Sequence, residues 1–330
     1  MRAWRVHQYG PHRDVLRLED VAPPAAPPGG VVVDVAAASL NFPDLLAIAG
    51  QYQVKAPLPF TPGLEAAGVI AAVGPGSRHA VGDRVVVHAP WGAFAEQMVV
   101  GDGAVLPWPA PLTAAEAASL VVTYQTGHVA LARRARLATG ETLAVLGAAG
   151  GTGLAAIQLG KALGARVIAV AGGAAKVAAC TAAGADVAID HQAGDFAAAI
   201  LAATDGRGAD VIYDPVGGDA TDRALKALAL EGRLLVIGFA AGAIPAIKLN
   251  RLLLRNVDVI GVYWGAYFDR DRAVIDHAHA ALIELCGRGA IRPVVSRTLP
   301  LDQLADGLDA IAARQAIGNL ALVMSPEAGR

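Results

Sequence analysis

The spacing of apolar and polar positions changes character near residue 122. Before it, short apolar runs over 31–35, 67–73, 84–87 and 93–100 are punctuated by turns such as Pro75-Gly76 and Gly82-Asp83, which predicts a β-rich region of short strands. From Thr123 onward, helical stretches alternate with runs that are apolar at nearly every position, over 143–146, 167–170, 187–189, 211–213, 234–237 and 257–262. A strand apolar on both faces needs cover on both faces, so this pattern predicts an α/β fold with a doubly wound parallel sheet. Beyond Gly265 the spacing predicts a long helix over 269–288, a strand over 294–297, a second helix over about 301–313 and a last strand near 320–324. These elements are expected to rejoin the β-rich region, giving one domain from 1–122 and 266–330 and a second from 123–265. A chain of 330 residues is long enough for two cores.

The stretch richest in chemistry is Leu143-Ala-Val-Leu-Gly-Ala-Ala-Gly-Gly-Thr-Gly-Leu154, which runs on through Gln158 to Lys161. It reads as strand, tight turn and helix. Ala149, Gly150, Gly151, Thr152 and Gly153 form the turn and helix start, where missing side chains open the backbone to a ligand, and unpaired N–H groups with the helix dipole favour a pyrophosphate. Ala148 replaces the first glycine of a G-x-G-x-x-G pattern, leaving Gly150 and Gly153 in the other two places. A second strand at βαβ spacing supplies the specificity that the motif alone lacks. A Rossmann-type dinucleotide unit is therefore expected, and a glycine-rich packing turn accounts for less of the pattern.

Composition removes several other classes. A net charge of -2 without a cluster of Lys and Arg offers no basic stripe, so no nucleic-acid partner is expected. The uncharged run 142–160 holds five glycines and a switch from strand to helix, which makes it a buried α/β element rather than a membrane span. The start, Met1-Arg-Ala-Trp-Arg-Val-His7, lacks the apolar core of a signal peptide, and a cytoplasmic location is expected. Only Cys180 and Cys286 are present, with no C-x-x-C, so both are expected as buried free thiols.

The order of these parts, together with Ser39-Leu-Asn-Phe-Pro-Asp44, Gly50-Gln-Tyr52, Pro62-Gly-Leu-Glu-Ala-Ala-Gly68, Val81-Gly-Asp-Arg-Val85 and Tyr213-Asp-Pro-Val-Gly-Gly218, carries a resemblance over essentially the whole chain. The chain resembles the medium-chain dehydrogenase/reductase superfamily, in particular its zinc-free NADPH:quinone oxidoreductase branch, the relatives of zeta-crystallin. The resemblance implies a GroES-like fold for the β-rich catalytic domain. It also implies a homodimer, which an apolar last sheet strand over 257–262 would invite. Metal-dependent members of the superfamily carry a Cys near the first helix and a His-Glu pair after Pro-Gly. Here Asn41-Phe-Pro-Asp44 replaces the Cys segment and Leu64 precedes Glu65, so no metal site is expected. His277 and His279 lie two apart on a predicted helix and point to different faces.

Cofactor choice is read after the second strand, where Ala171-Gly-Gly-Ala-Ala-Lys176 has no acid to bond ribose hydroxyls and a lysine to meet a 2′-phosphate, which favours NADPH. The resemblance assigns the phosphate to Lys176, His191 and Arg314, with Gly172 leaving room; His191 departs from the family's usual tyrosine. It places Thr126 at the nicotinamide end, the loop from Gly238 and Phe239 to Gly242 over the cofactor, and Asn41, Asp44 and Tyr52 on the substrate side. Read as residues alone, these positions have second explanations. Lys176 also suits a solvated first turn of a helix, and Tyr52 suits either a proton donor or a packing residue. Asn41 suits either an acceptor-positioning amide or a turn beside Pro43, and Asp44 a helix start. Glu65 is expected to hydrogen-bond within its domain, and Trp91 and Phe94 to line a cleft or fill the β core. The implied reaction is hydride transfer from NADPH to a small quinone or α,β-unsaturated carbonyl in a cleft between the domains, at the carboxyl ends of the sheet strands. A 2-enoyl thioester reductase is the alternative enzyme, and an NADPH-binding structural or regulatory protein the alternative of another class.

Overall fold

The structure, a computed structural model, describes residues 1–324. The chain divides into two compact units: Met1–Val122, Phe268–Gly287 and the described residues from Arg292 make the first, and Thr123–Tyr267 with Arg288–Ile291 make the second.

The first unit is built on strands. These are β1 (Arg2–Val6), β2 (Leu16–Asp20), β3 (Gly30–Leu40), β4 (Glu65–Val73), β5 (Arg84–His88), β6 (Gln97–Gly101) and β7 (Val105–Pro107). In the second unit follow β8 (Thr142–Val145), β9 (Arg166–Ala171), β10 (Val187–Asp190), β11 (Ala209–Asp214), β12 (Leu228–Val236) and β13 (Asp258–Gly261). The chain then returns to the first unit with β14 (Val295–Pro300) and β15 (Asn319–Val323).

The main sheet of the first unit runs β14-β15-β3-β4-β5-β7, with β6 on β3, while β1 pairs with β2. Its core gathers Trp4, Ile48, Ile70, Phe94, Met98 and Leu322, and Trp4 Nε1 donates to Leu301 O at 2.7 Å, tying the first strand to the returning chain. Phe94 is therefore a core residue, and Trp91 packs partly buried against that core. The strands β1, β2 and β7 were not legible as apolar runs because they are short and carry charged residues or proline. The long helix expected over 269–288 is two helices, Tyr267–Arg270 and Arg272–Gly287, broken at Asp271, whose carbonyl accepts from Val274 N at 3.1 Å. The helix over 301–313 opens with a 3₁₀ turn, Leu301–Gln303, before the α-helix Leu304–Ala312. His279 is buried with Nε2 at 2.7 Å from Pro107 O, while His277 is exposed.

The second unit is a wholly parallel sheet in the order β10-β9-β8-β11-β12-β13, so the order reverses between β8 and β11. Burial explains the apolar runs: β8 has no exposed residue, and Ile168, Ile200, Ile212 and Leu234 share one core. The edge strand differs, because β13 is mostly exposed. Among the described residues, no helix is long and apolar enough to cross a membrane.

Candidate functional site

In the second unit, β8 leads through a turn into the helix Gly151–Ala162, with Gly150 extended at its start. A Cβ on Gly153 would stand 2.5 Å from Gly147 O and 2.6 Å from Ala148 O, so only glycine lets the helix start rest on the turn. A Cβ on Gly150 would meet only Gly147 O at 3.5 Å, which leaves the approach to the first helical N–H groups open. Ala149 is buried and offers backbone alone. Thr152 is half-buried, its Oγ1 2.5 Å from the Tyr213 hydroxyl.

The turn after β9 lies beside the turn after β10. Asp190 Oδ1 accepts from Gly173 N at 3.0 Å and Gln192 N at 2.9 Å, and these two donors hold its carboxyl below the usual value. Gly173 has φ +85, a conformation natural to glycine, and it precedes the helix Ala174–Ala182 with half-buried Lys176 in the first turn. A Cβ on Gly172 would stand 2.8 Å from His191 Nε2. The structure thus brings Gly172 and His191 together on the second unit, while Arg314 belongs to the first, just beyond the helix Leu304–Ala312.

After β11, buried Asp214 shapes a third turn. Its Oδ1 accepts from Val216 N at 2.8 Å and Gly217 N at 3.0 Å, and its Oδ2 from Thr221 Oγ1 at 2.5 Å. The loop with Gly238 and Phe239 sits against it, as Ala240 N donates to Pro215 O at 3.0 Å and Ala241 N to Val216 O at 2.8 Å. Thr126 starts a short helix whose neighbours are pinned: Tyr124 donates to Gln158 Oε1 at 2.8 Å and Trp264 Nε1 to Gln125 Oε1 at 3.0 Å. Three glycine-shaped turns therefore lie at the carboxyl ends of parallel strands, where α/β sheets bind dinucleotides, and the residues present fit such a group.

The first unit holds the other candidates. Asn41 ends β3 and precedes the helix Phe42–Ile48, with Asp44 in the first turn. Asp44 is wholly buried, and its Oδ2 accepts from Asn41 N at 2.7 Å and closes the helix start. Asn41 is also buried, and its amide donates to Glu65 Oε1 at 2.9 Å and Ser39 O at 3.4 Å. Glu65 takes a further bond from Val122 N at 2.7 Å. Burial pushes the Glu65 carboxyl up to about 7 despite these donors, and burial likewise raises Asp44, with the Glu65 charge adding to the effect. Tyr52 is half-buried, and its N donates to Leu46 O at 3.1 Å at the far end of the same helix. Tyr9 donates to Ala56 O at 2.5 Å and braces the loop beyond it.

Among the described residues, no group of three or more His, Cys, Asp or Glu side chains is arranged to hold a metal ion. Comparison with known proteins covers both units. Residues 27–110 match the family model for the alcohol dehydrogenase GroES-like domain, and residues 151–280 the model described as zinc-binding dehydrogenase. Quinone oxidoreductase-like protein 2 of Mus musculus is 36% identical over 309 residues, spanning 93% of this chain and 88% of the relative. The chain belongs to the quinone oxidoreductase family of medium-chain dehydrogenases/reductases. Solved structures of similar shape include a probable oxidoreductase from Mycobacterium abscessus, with 42% identity, a TM-score of 0.88 and 98% of each chain covered. Escherichia coli quinone oxidoreductase complexed with NADPH gives a TM-score of 0.91 at 28% identity, covering 98% of this chain and all of that one, 100%.

Within this family fold, sequence reasoning missed the residues that shape the seat without offering atoms to a ligand. Asp190 and Asp214 each end an apolar strand just before a turn, and that position was the available signal. Nothing in the sequence marks the pairing of Tyr213 with Thr152, which are 61 residues apart.

Proposed function

We propose that the chain is an NADPH-dependent reductase that passes hydride, without a metal, to small electron-poor acceptors such as quinones and α,β-unsaturated carbonyls. The observation that carries this reading is the turn after β9, where Gly172 lets the backbone lie close against His191, Lys176 stands in the first turn of the following helix, and the nearby Asp190 carboxylate is occupied with backbone donors. When bound, NADPH supplies the hydride. The backbone of Gly150 to Gly153 holds the pyrophosphate, Lys176 and His191 meet the 2′-phosphate, and Thr126 borders the nicotinamide end. Tyr52 donates its phenolic proton to the acceptor oxygen as charge develops there, and water restores it, so the acceptor gains one hydride and one proton. Asn41 and Asp44 act one step back, holding the helix from whose end Tyr52 is hung.

NADPH oxidation measured against a quinone, an enone and an enoyl-CoA, before and after chelation, tests the reading. Turnover of the first two that survives chelation is the expected result; stoichiometric zinc whose removal abolishes turnover contradicts it. Tyr52→Phe is expected to lower kcat and kcat/KM together while leaving the NADPH dissociation constant unchanged.

The same reading includes a homodimer. Among the described residues the edge strand β13 pairs only with β12, and Ile244, Leu249, Leu253 and Leu254, on the nearby stretch of chain, are each 76% exposed. Light scattering at micromolar concentration is expected to give twice the chain mass, and a monomer mass would contradict it.

A further inference from the structure

The sheet order reverses between β8 and β11, and the two strands carry Thr152 and Tyr213 to the same end of that junction. Tyr213 lies opposite Val145 on β8, and its carbonyl accepts from Leu146 N at 3.0 Å, so its backbone is fixed at the last rung of the ladder. Its ring is fully buried, and its hydroxyl is 2.5 Å from Thr152 Oγ1, its hydrogen-bond partner among the described residues. Thr152 is the second residue of the helix Gly151–Ala162, whose first N–H groups have no carbonyl partner within the helix.

Each of these hydroxyls has one proton and two lone pairs, and a buried O–H left without an acceptor is destabilising. Burial also raises the Tyr213 phenol well above its usual value, which keeps it protonated and hence a donor across the physiological range. A donating Tyr213 makes Thr152 Oγ1 the acceptor of the pair. The Thr152 proton must then go to another acceptor, and at an open helix start the fitting acceptor is an anion.

We propose that Tyr213 is a positioning residue of the dinucleotide seat: its hydroxyl donates to Thr152 Oγ1 and thereby directs the Thr152 proton to the cofactor's pyrophosphate. This rests on the NADPH reading above and adds a specific expectation to it, since the effect belongs to the pyrophosphate and not to the 2′-phosphate.

Dissociation constants for NADPH, NADH, ADP-ribose and 2′-AMP, measured by calorimetry on wild type, Tyr213→Phe, Thr152→Val and the double variant, test it. Tyr213→Phe is expected to weaken NADPH, NADH and ADP-ribose alike by about 3- to 10-fold, the worth of one hydrogen bond, while 2′-AMP, which lacks a pyrophosphate, changes less than about twofold. In the Thr152→Val background the same change is expected to have almost no further effect, and Thr152→Ser to retain wild-type affinity. Equal losses with and without Thr152, or unchanged affinities throughout, would overturn the proposal. A loss shared by 2′-AMP would also overturn it, because it would mean that Tyr213 merely supports the whole seat. Should Tyr213→Phe fail to fold, Thr152→Val against Thr152→Ser reads the same hydroxyl, and pyrophosphate ligands indifferent to both would sink the idea. Wild type that binds 2′-AMP but neither dinucleotide would instead strike at the NADPH reading itself, and the proposal would fall with it.

Discussion

In the second unit the turns are shaped by backbone and by missing side chains, which leave the approach open at Gly150 and allow close packing at Gly153 and Gly172. In the first unit, the polar groups around Asn41 are side chains turned upon one another: Asp44 on the Asn41 backbone, Asn41 on Glu65, and Glu65 on the Val122 backbone. The first arrangement is fixed by sterics and changes little with pH. The second rests on two buried carboxyl groups and is therefore sensitive to proton activity. Recognition in this protein is thus written into backbone shape, and the support beneath Tyr52 into titratable side chains.

The largest expected effect breaks the backbone half. A side chain at position 153 would overlap two carbonyl oxygens that cannot swing aside, so Gly153→Val must displace the turn. We expect a stability loss of about 3 kcal/mol and a fall in dinucleotide affinity of at least about 100-fold. Urea unfolding and cofactor titration check this, and a variant that binds normally would show that the turn is softer than its geometry implies.

The titratable half is sharpened by Glu65 and His88, which face each other across β4 and β5. Glu65 is raised from 4.5 to about 7, so across that window the folded chain holds a proton that the unfolded chain releases, and stability falls as pH rises. Burial lowers His88 from 6.5 to about 4, so there the unfolded chain binds the extra proton, and stability falls as pH drops. The two contributions oppose each other over nearly the same range. Glu65→Gln removes one of them, and its stability is expected to fall on acidification from pH 7 to pH 4.5 by on the order of 3 kcal/mol more than wild type. The variant is also expected to be weaker at pH 7, because a Gln amide turns one N–H toward a donor, Asn41 or Val122, that needs an acceptor. Parallel pH profiles for the two proteins would contradict the burial account.

The same contrast explains what was legible in the sequence. A doubly wound sheet follows from apolar runs and a glycine turn, because sterics and burial act locally and leave a periodic trace, as at β8 and β9. The internal direction of the Asn41 amide depends on Glu65, 24 positions away, and on the antiparallel pairing that sets Ser39 opposite Glu65. Residue type told that Asn41 and Asp44 were polar beside a helix start. It did not tell that both would be buried and bonded to one another within their unit.

The central claim is that the seat after β9 is built for a 2′-phosphate. The most direct test is the pair of dissociation constants for NADPH and NADH, measured by the same titration on wild type and on Lys176→Ala. A charge-assisted hydrogen bond contributes about 1.5–3 kcal/mol, or roughly 10- to 150-fold in affinity. The account predicts that wild type favours NADPH and that Lys176→Ala loses about that factor for NADPH while NADH changes less than about twofold. Equal wild-type affinities, or a loss shared by both cofactors, would contradict it.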